Sequence, residues 1–129
     1  MPPDSAYQPL GPARRPGGKP EQAPLYRVLV HRRYSRHWDE MVTRVGLQQA
    51  EQLWDHLAHN PGRPPAIGST CYLRGKAGKP QGDGWSRTVH YELSSMARVD
   101  FQFHDKFDQG ADGDEHPVVA ILTINYSSH

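Results

Sequence analysis

A chain of 129 residues with 36% apolar and 22% charged residues and a formal net charge of +1 has room for one domain and a single hydrophobic core. Its one cysteine, Cys71, excludes an intramolecular disulfide and any multi-cysteine zinc or iron–sulfur site, and a reducing cytoplasm is the expected setting. No run approaches the roughly 20 apolar residues needed to cross a bilayer, and no apolar segment follows the first basic residues, so neither secretion nor membrane insertion is expected.

Charge is unevenly spread. Residues 1–33 carry six Arg/Lys against two acids, and residues 105–129 carry one Lys against five acids. A basic arm adds sequence-independent attraction to phosphates. An acidic loop can shield that attraction or meet a basic partner, although solubility alone would also account for both.

Residues 1–24 hold seven of the twelve prolines and three glycines, with few apolar side chains to bury. They are expected to form a disordered, basic Pro/Gly-rich arm in which Arg14, Arg15 and Lys19 can reach a nucleic acid. The domain is expected over residues 25–129. Leu25–His31 alternates Leu25, Arg27, Leu29 and His31 against Tyr26, Val28 and Val30, the period of a strand. Ser35 is a candidate N-cap for a helix with Trp38, Met41, Val42 and Val45 on one stripe and Asp39 and Glu40 near its positive end. After Gly46 the same spacing recurs at Ala50, Leu53, Trp54 and Leu57 until Asn60-Pro61-Gly62, which gives a helical hairpin or one kinked helix.

A Pro/Gly-rich connection leads to a short strand at Cys71–Leu73 and a basic loop, Lys76–Gly84. In the following strand Val89, Tyr91 and Leu93 face one way and Thr88, His90 and Glu92 the other. Its partner sets Val99, Phe101 and Phe103 against Arg98, Asp100, Gln102 and His104. After an acidic loop, Val118–Leu122 is continuously apolar, the pattern of a strand covered on both faces, and Thr123 and Asn125 restore the alternation. The expected fold is α+β: a small antiparallel sheet in β-α-α-β-β-β order, with the helical hairpin on one face and a polar second face.

Leu73-Arg74-Gly75, Trp85-Ser86-Arg87 and Arg98-Val99-Asp100-Phe101, taken with this element order, resemble the RelE/ParE superfamily of bacterial toxins over residues 25–129. Most members of that family cleave mRNA on the ribosome, and the ParE branch inhibits DNA gyrase. The resemblance implies a toxin neutralised by a cognate antitoxin, with mRNA and the ribosome as partners. It places Arg98 where the nucleases contact the scissile phosphate. His90 and Glu92 stand where RelE has two lysines, and the tail Tyr126-Ser127-Ser128-His129 is similar in composition, though not in order, to the tails of the nucleases.

Metal-independent RNA cleavage needs a base for the ribose 2′-hydroxyl, a cation for the developing phosphate charge and an acid for the leaving 5′-oxygen. His90 or Glu92 is the candidate base and Arg98 the candidate stabiliser, because a guanidinium offers paired donors and keeps its charge. His129, with Tyr126 behind it, is the candidate acid. Arg74, Lys76, Lys79 and Arg87 are candidate RNA-binding residues. No cofactor is implied. The pair His56-x-x-His59 has zinc-ligand spacing without a recognisable third ligand and reads as helix surface. Two other classes of function stay open: a gyrase-directed toxin, and a protein-interaction module that keeps the fold without the chemistry.

Overall fold

The computed structural model describes residues 10–20, 22–65, 68–94, 97–107 and 116–126. Six strands form one sheet: β1 (Leu10–Pro12), β2 (Arg27–His31), β3 (Ser69–Tyr72), β4 (Val89–Ser94), β5 (Ala97–Phe107) and β6 (His116–Asn125), in the spatial order β1-β2-β6-β5-β4-β3. Two helices, α1 (Ser35–Val45) and α2 (Leu47–His59), connect β2 to β3.

The α+β class and the helical hairpin are as the sequence predicts. The sheet, however, is mixed rather than antiparallel, because β2 runs parallel to β6 with Val28 opposite Val119 and Val30 opposite Ile121. The reason lies in how the connections count out. The antiparallel helices cancel each other's travel and return the chain to the end of the sheet where β2 stopped. The meander β3-β4-β5-β6 then reverses direction at each of its turns, so β6 arrives alongside β2 in the same sense.

Both helices lie on one sheet face. Trp38 and Met41 of α1 and Leu53, Trp54 and Leu57 of α2 pack with Val28, Val30, Tyr91, Val99, Phe101, Val119 and Ile121 in the main core. Gly46 separates the helices with φ of 93°, a left-handed setting that glycine adopts without penalty. This settles the hairpin against a single kinked helix. Ser35 is not the N-cap. A 3₁₀ turn over Arg32–Tyr34 runs directly into α1, Tyr34 occupies the cap position without a side-chain hydrogen bond, and Ser35 is already helical.

Val118, Val119, Ala120 and Ile121 are completely buried, as the unbroken apolar run of β6 predicts. One side is covered by the helices. On the other, Leu10, Leu29, Val118 and Ala120 form a smaller cluster with Trp85, Phe107 and Leu122.

The N-terminal segment departs most from expectation. From Leu10 it is built into the fold: β1 pairs antiparallel with β2, placing Leu10 opposite His31 and Pro12 opposite Leu29, and Leu10 and Ala13 are buried. Pro12 is tolerated because β1 is an edge strand. The indole N–H of Trp54 donates to the Ala13 carbonyl at 2.8 Å and that of Trp38 to the Arg14 carbonyl at 3.0 Å. Arg15 forms a bidentate pair with Asp55, at 2.8 and 3.0 Å. Composition alone conceals these contacts, since most of them use backbone carbonyls rather than apolar area. Residues 1–9 lie outside the described residues.

A candidate nucleic-acid site on the open sheet face

The β4–β5 hairpin decides what stands together on the face opposite the helices. Its register sets His90 opposite Asp100 and Glu92 opposite Arg98, and directly opposed residues of a strand pair share a face. One row across that face therefore reads Cys71, His90, Asp100, Thr123, and the next reads Ser69, Glu92, Arg98, Asn125.

His90 is the centre of the first row. Its Nδ1 lies 2.6 Å from Asp100 Oδ1, and its Nε2 lies 3.5 Å from Glu92 Oε1. A carboxylate only accepts, so Nδ1 carries the proton at the short contact with Asp100, and Nε2, held only by the looser approach of Glu92, is the nitrogen beside which a substrate hydroxyl can enter. In the neutral ring Nε2 is a lone pair that takes a proton; in the charged ring it is a donor. Arg98 stands beside it with Nε 3.8 Å from Glu92 Oε1. The side chains of His90 and Asp100 are each 24% exposed and those of Glu92 and Arg98 51% and 41%, so the group is open to a large substrate while its imidazole is braced.

The basic loop borders this row from the other end of the sheet. Gln102 follows Asp100 on the same face and is almost fully buried. Its Nε2 donates to the Lys79 carbonyl at 2.8 Å and to Thr88 Oγ1 at 3.1 Å, while its Oε1 accepts from the Gln81 N–H at 2.9 Å. This satisfied amide fastens the loop over the sheet. Arg74, Lys76 and Lys79 keep exposed side chains there. Arg87 is exposed as well, but its guanidinium donates to the Leu73 carbonyl at 3.1 and 2.9 Å and to the Gly75 carbonyl at 3.1 Å. It braces the loop instead of presenting free donors.

Of the sequence candidates, the structure brings His90, Glu92 and Arg98 together. It sets Tyr126 apart from them, on the helix side, where its hydroxyl donates to Glu40 and the Arg44 guanidinium lies 4.6 Å over its ring. That hydrogen bond to Glu40, aided by desolvation, raises the phenol above its usual range. The reason is alternation: Tyr126 follows Asn125, which shares the row of Arg98. His129 lies outside the described residues.

Asp100 is the member of the group that the sequence does not single out. Its place opposite His90 depends on the register shift between Glu92 and Ser94: counted straight back from the Ser94–Ala97 pair, His90 would face Phe101. Away from this face, His59 places Nδ1 2.9 Å from the Asp55 carbonyl and Nε2 3.2 Å from the Ala23 carbonyl. His56 packs edge-on against Tyr91 with ring centroids 5.6 Å apart. Among the described residues no three His, Cys, Asp or Glu side chains are grouped to hold a metal ion, and no helix is long and apolar enough to cross a membrane.

Compared with known proteins, the chain matches no family model, no curated protein and no solved structure.

Proposed function

We propose that this protein is a toxin-type endoribonuclease that cuts mRNA on the ribosome and is neutralised by an antitoxin covering its open sheet face. The observation that carries the reading is the Asp100–His90 pair at 2.6 Å with Arg98 in the adjacent row. The resemblance of its element order and short motifs to the RelE/ParE toxins supplies the substrate class.

In this reading His90 Nε2 takes the proton of the ribose 2′-hydroxyl. The 2′-oxygen then bonds to phosphorus as the bond from phosphorus to the 5′-oxygen breaks, leaving a 2′,3′-cyclic phosphate. Asp100 orients the ring and stabilises the imidazolium that forms, as a carboxylate behind a catalytic histidine does. Arg98 donates to the phosphate oxygens as their charge grows, exchanging its loose contact with Glu92 for the substrate. Glu92 stays beside Nε2 and stabilises the protonated ring. The leaving 5′-oxygen takes its proton from the tail, where His129 is the candidate donor.

The test is a cell-free translation reaction receiving purified protein, with mRNA 5′ ends mapped by primer extension and a naked RNA digest run in parallel. New ends within the ribosomal A-site codon that vanish with Arg98→Ala and His90→Ala are the expected result. Intact mRNA under continued translation would move the assignment to gyrase inhibition or to a non-enzymatic interaction module.

A further inference from the structure

The two margins of the sheet are built differently. β1 is three residues long and ends in Pro12, and a short strand closed by proline keeps a sheet from growing. β3, Ser69-Thr70-Cys71-Tyr72, ends the sheet on the other side with no proline, no charge and no bulge against β4. Ser69, Cys71 and Tyr72 are exposed, Tyr72 to 51%.

Ladder geometry says which backbone groups this margin leaves open. The Leu73 N–H donates to the Thr88 carbonyl at 2.9 Å, in register with Cys71 opposite His90. Ser69, Cys71 and Leu73 therefore turn their backbone groups toward β4, and Thr70 and Tyr72 turn theirs outward. Among the described residues no backbone group bonds to either from that side.

The side chains of Thr70 and Tyr72 lie on the helix side of the sheet, since their opposites, Tyr91 and Val89, belong to the main core. A cavity of 200 Å³ opens there, with Pro61, Gly62, Pro64, Thr70, Tyr72 and Val89 in its wall. One margin thus carries a projecting phenol and, two residues away, a largely apolar cleft beside Thr70.

We propose that a second copy of this chain occupies the margin, β3 pairing antiparallel with β3 of the copy about a two-fold axis at Cys71. Thr70 of each chain then stands opposite Tyr72 of the other. Every outward N–H and C=O of the two residues is used, and each phenol is brought against the cleft beside the other chain's Thr70. The contact is self-complementary, as a two-fold interface must be. Arg74 falls opposite Gly68, past the end of the facing strand, so no like charges meet. A slip of two residues would set Arg74 in place of Tyr72 and press a cation onto the cleft. A slip the other way would set Tyr72 against Gly68, whose φ of 84° takes it out of the strand. On the open face the row Asp100, His90, Cys71 continues into the same row of the copy, with the two His90 positions three strand intervals, about 14 Å, apart. The pairing does not depend on the nuclease reading; it sets two candidate sites side by side.

The same axis places Cys71 opposite Cys71 in a non-hydrogen-bonded pair, with Cα atoms about 4.5 Å apart, within disulfide range. The chain's one thiol is therefore a reporter of this register.

Sedimentation equilibrium of the full chain under reducing conditions, over a wide range of loading concentrations, should give a reversible dimer. Diamide, which takes up the two protons and two electrons that a pair of thiols releases, should trap it as a disulfide-linked species. Cys71→Ser should lose the link and keep the dimer. Thr70→Pro removes an outward donor and spares the β4 ladder, and Tyr72→Lys puts a charge against the cleft. Each should weaken dimerisation roughly tenfold or more and slow cross-linking in step, with the circular dichroism of the parent retained. A parent that stays monomeric throughout would overturn the proposal and leave the margin to an extended segment of another protein. A dimer that both folded variants keep would overturn it too, as would cross-linking as fast in Thr70→Pro as in the parent.

Discussion

At the scale of single residues, the site has an order of dependence that mutation resolves. Arg98→Ala should lower cleavage by roughly two to four orders of magnitude, since it removes a donor and a charge used only as the phosphate reacts. A fall of less than threefold in a folded variant would remove Arg98 from the mechanism. Asp100→Asn should cost about ten- to hundredfold in kcat with RNA affinity unchanged, because an amide can orient the ring but cannot balance its charge. If the loss appeared in KM alone, Asp100 would be a substrate contact and not a brace. His56 gives a separate, structural pH dependence. Burial beside Tyr91 holds its imidazole below the ordinary 6.5, with a hydrogen bond to the Arg63 backbone working the other way. Below about pH 6.5 the unfolded chain binds a proton that the native chain refuses, so stability is lost as pH falls through that window. Thermal melts between pH 7.5 and 5.5 should show a shallower decline for His56→Gln than for the parent. Identical slopes would mean that His56 titrates alike in both states.

At the scale of elements, two tryptophans do for the N-terminal segment what apolar area usually does. Trp54→Phe keeps the ring but leaves the Ala13 carbonyl without its indole partner in a buried position, which should cost about 1–3 kcal/mol. Hydrogen exchange at the Ala13 amide, which bonds to the Val28 carbonyl at 3.0 Å, should accelerate in step. Retained protection there would show that strand pairing alone holds β1. The basic loop depends on equally close backbone approach. A Cβ at Gly78 would collide with the Leu73 carbonyl oxygen and the Arg87 guanidinium, so Gly78→Ala should displace the loop that Gln102 and Arg87 hold over the sheet. The same hairpin register that aligns His90 with Asp100 also places Gln102 beneath that loop, so the loop and the site share one scaffold.

At the scale of the whole molecule, the sheet separates two kinds of work. The helix-side core supplies stability, and the open face, which among the described residues is covered around Leu10, Trp85 and Phe107, leaves the His90 and Arg98 rows accessible. Removing residues 1–12 would expose Leu29, Val118 and Ala120 and forfeit the burial of Leu10. The expected loss is about 2–4 kcal/mol, read as a lower urea midpoint. A midpoint equal to that of the full chain would show that β1 is an accessory strand.

The sequence alone determined the elements whose identity is local. The stripe Trp38, Met41, Leu53 and Leu57 set the helical segment, the alternation in β4 and β5 sorted their faces, and the apolar run of β6 marked it as central, because burial imposes a period on side chains wherever the element lies. It also brought His90, Glu92 and Arg98 onto one face. Tertiary structure decided what depends on where elements meet. The parallel pairing of β2 with β6 follows from the summed reversals of all the connections, which no segment encodes by itself. The docking of residues 10–20 relies on Ala13 and Arg14 carbonyls that every sequence possesses and only a nearby indole makes useful. Arg87 became a brace, and Tyr126 a partner of Glu40, for the same reason. A hydrogen bond needs two groups at one distance and angle, and composition fixes only the first of those conditions.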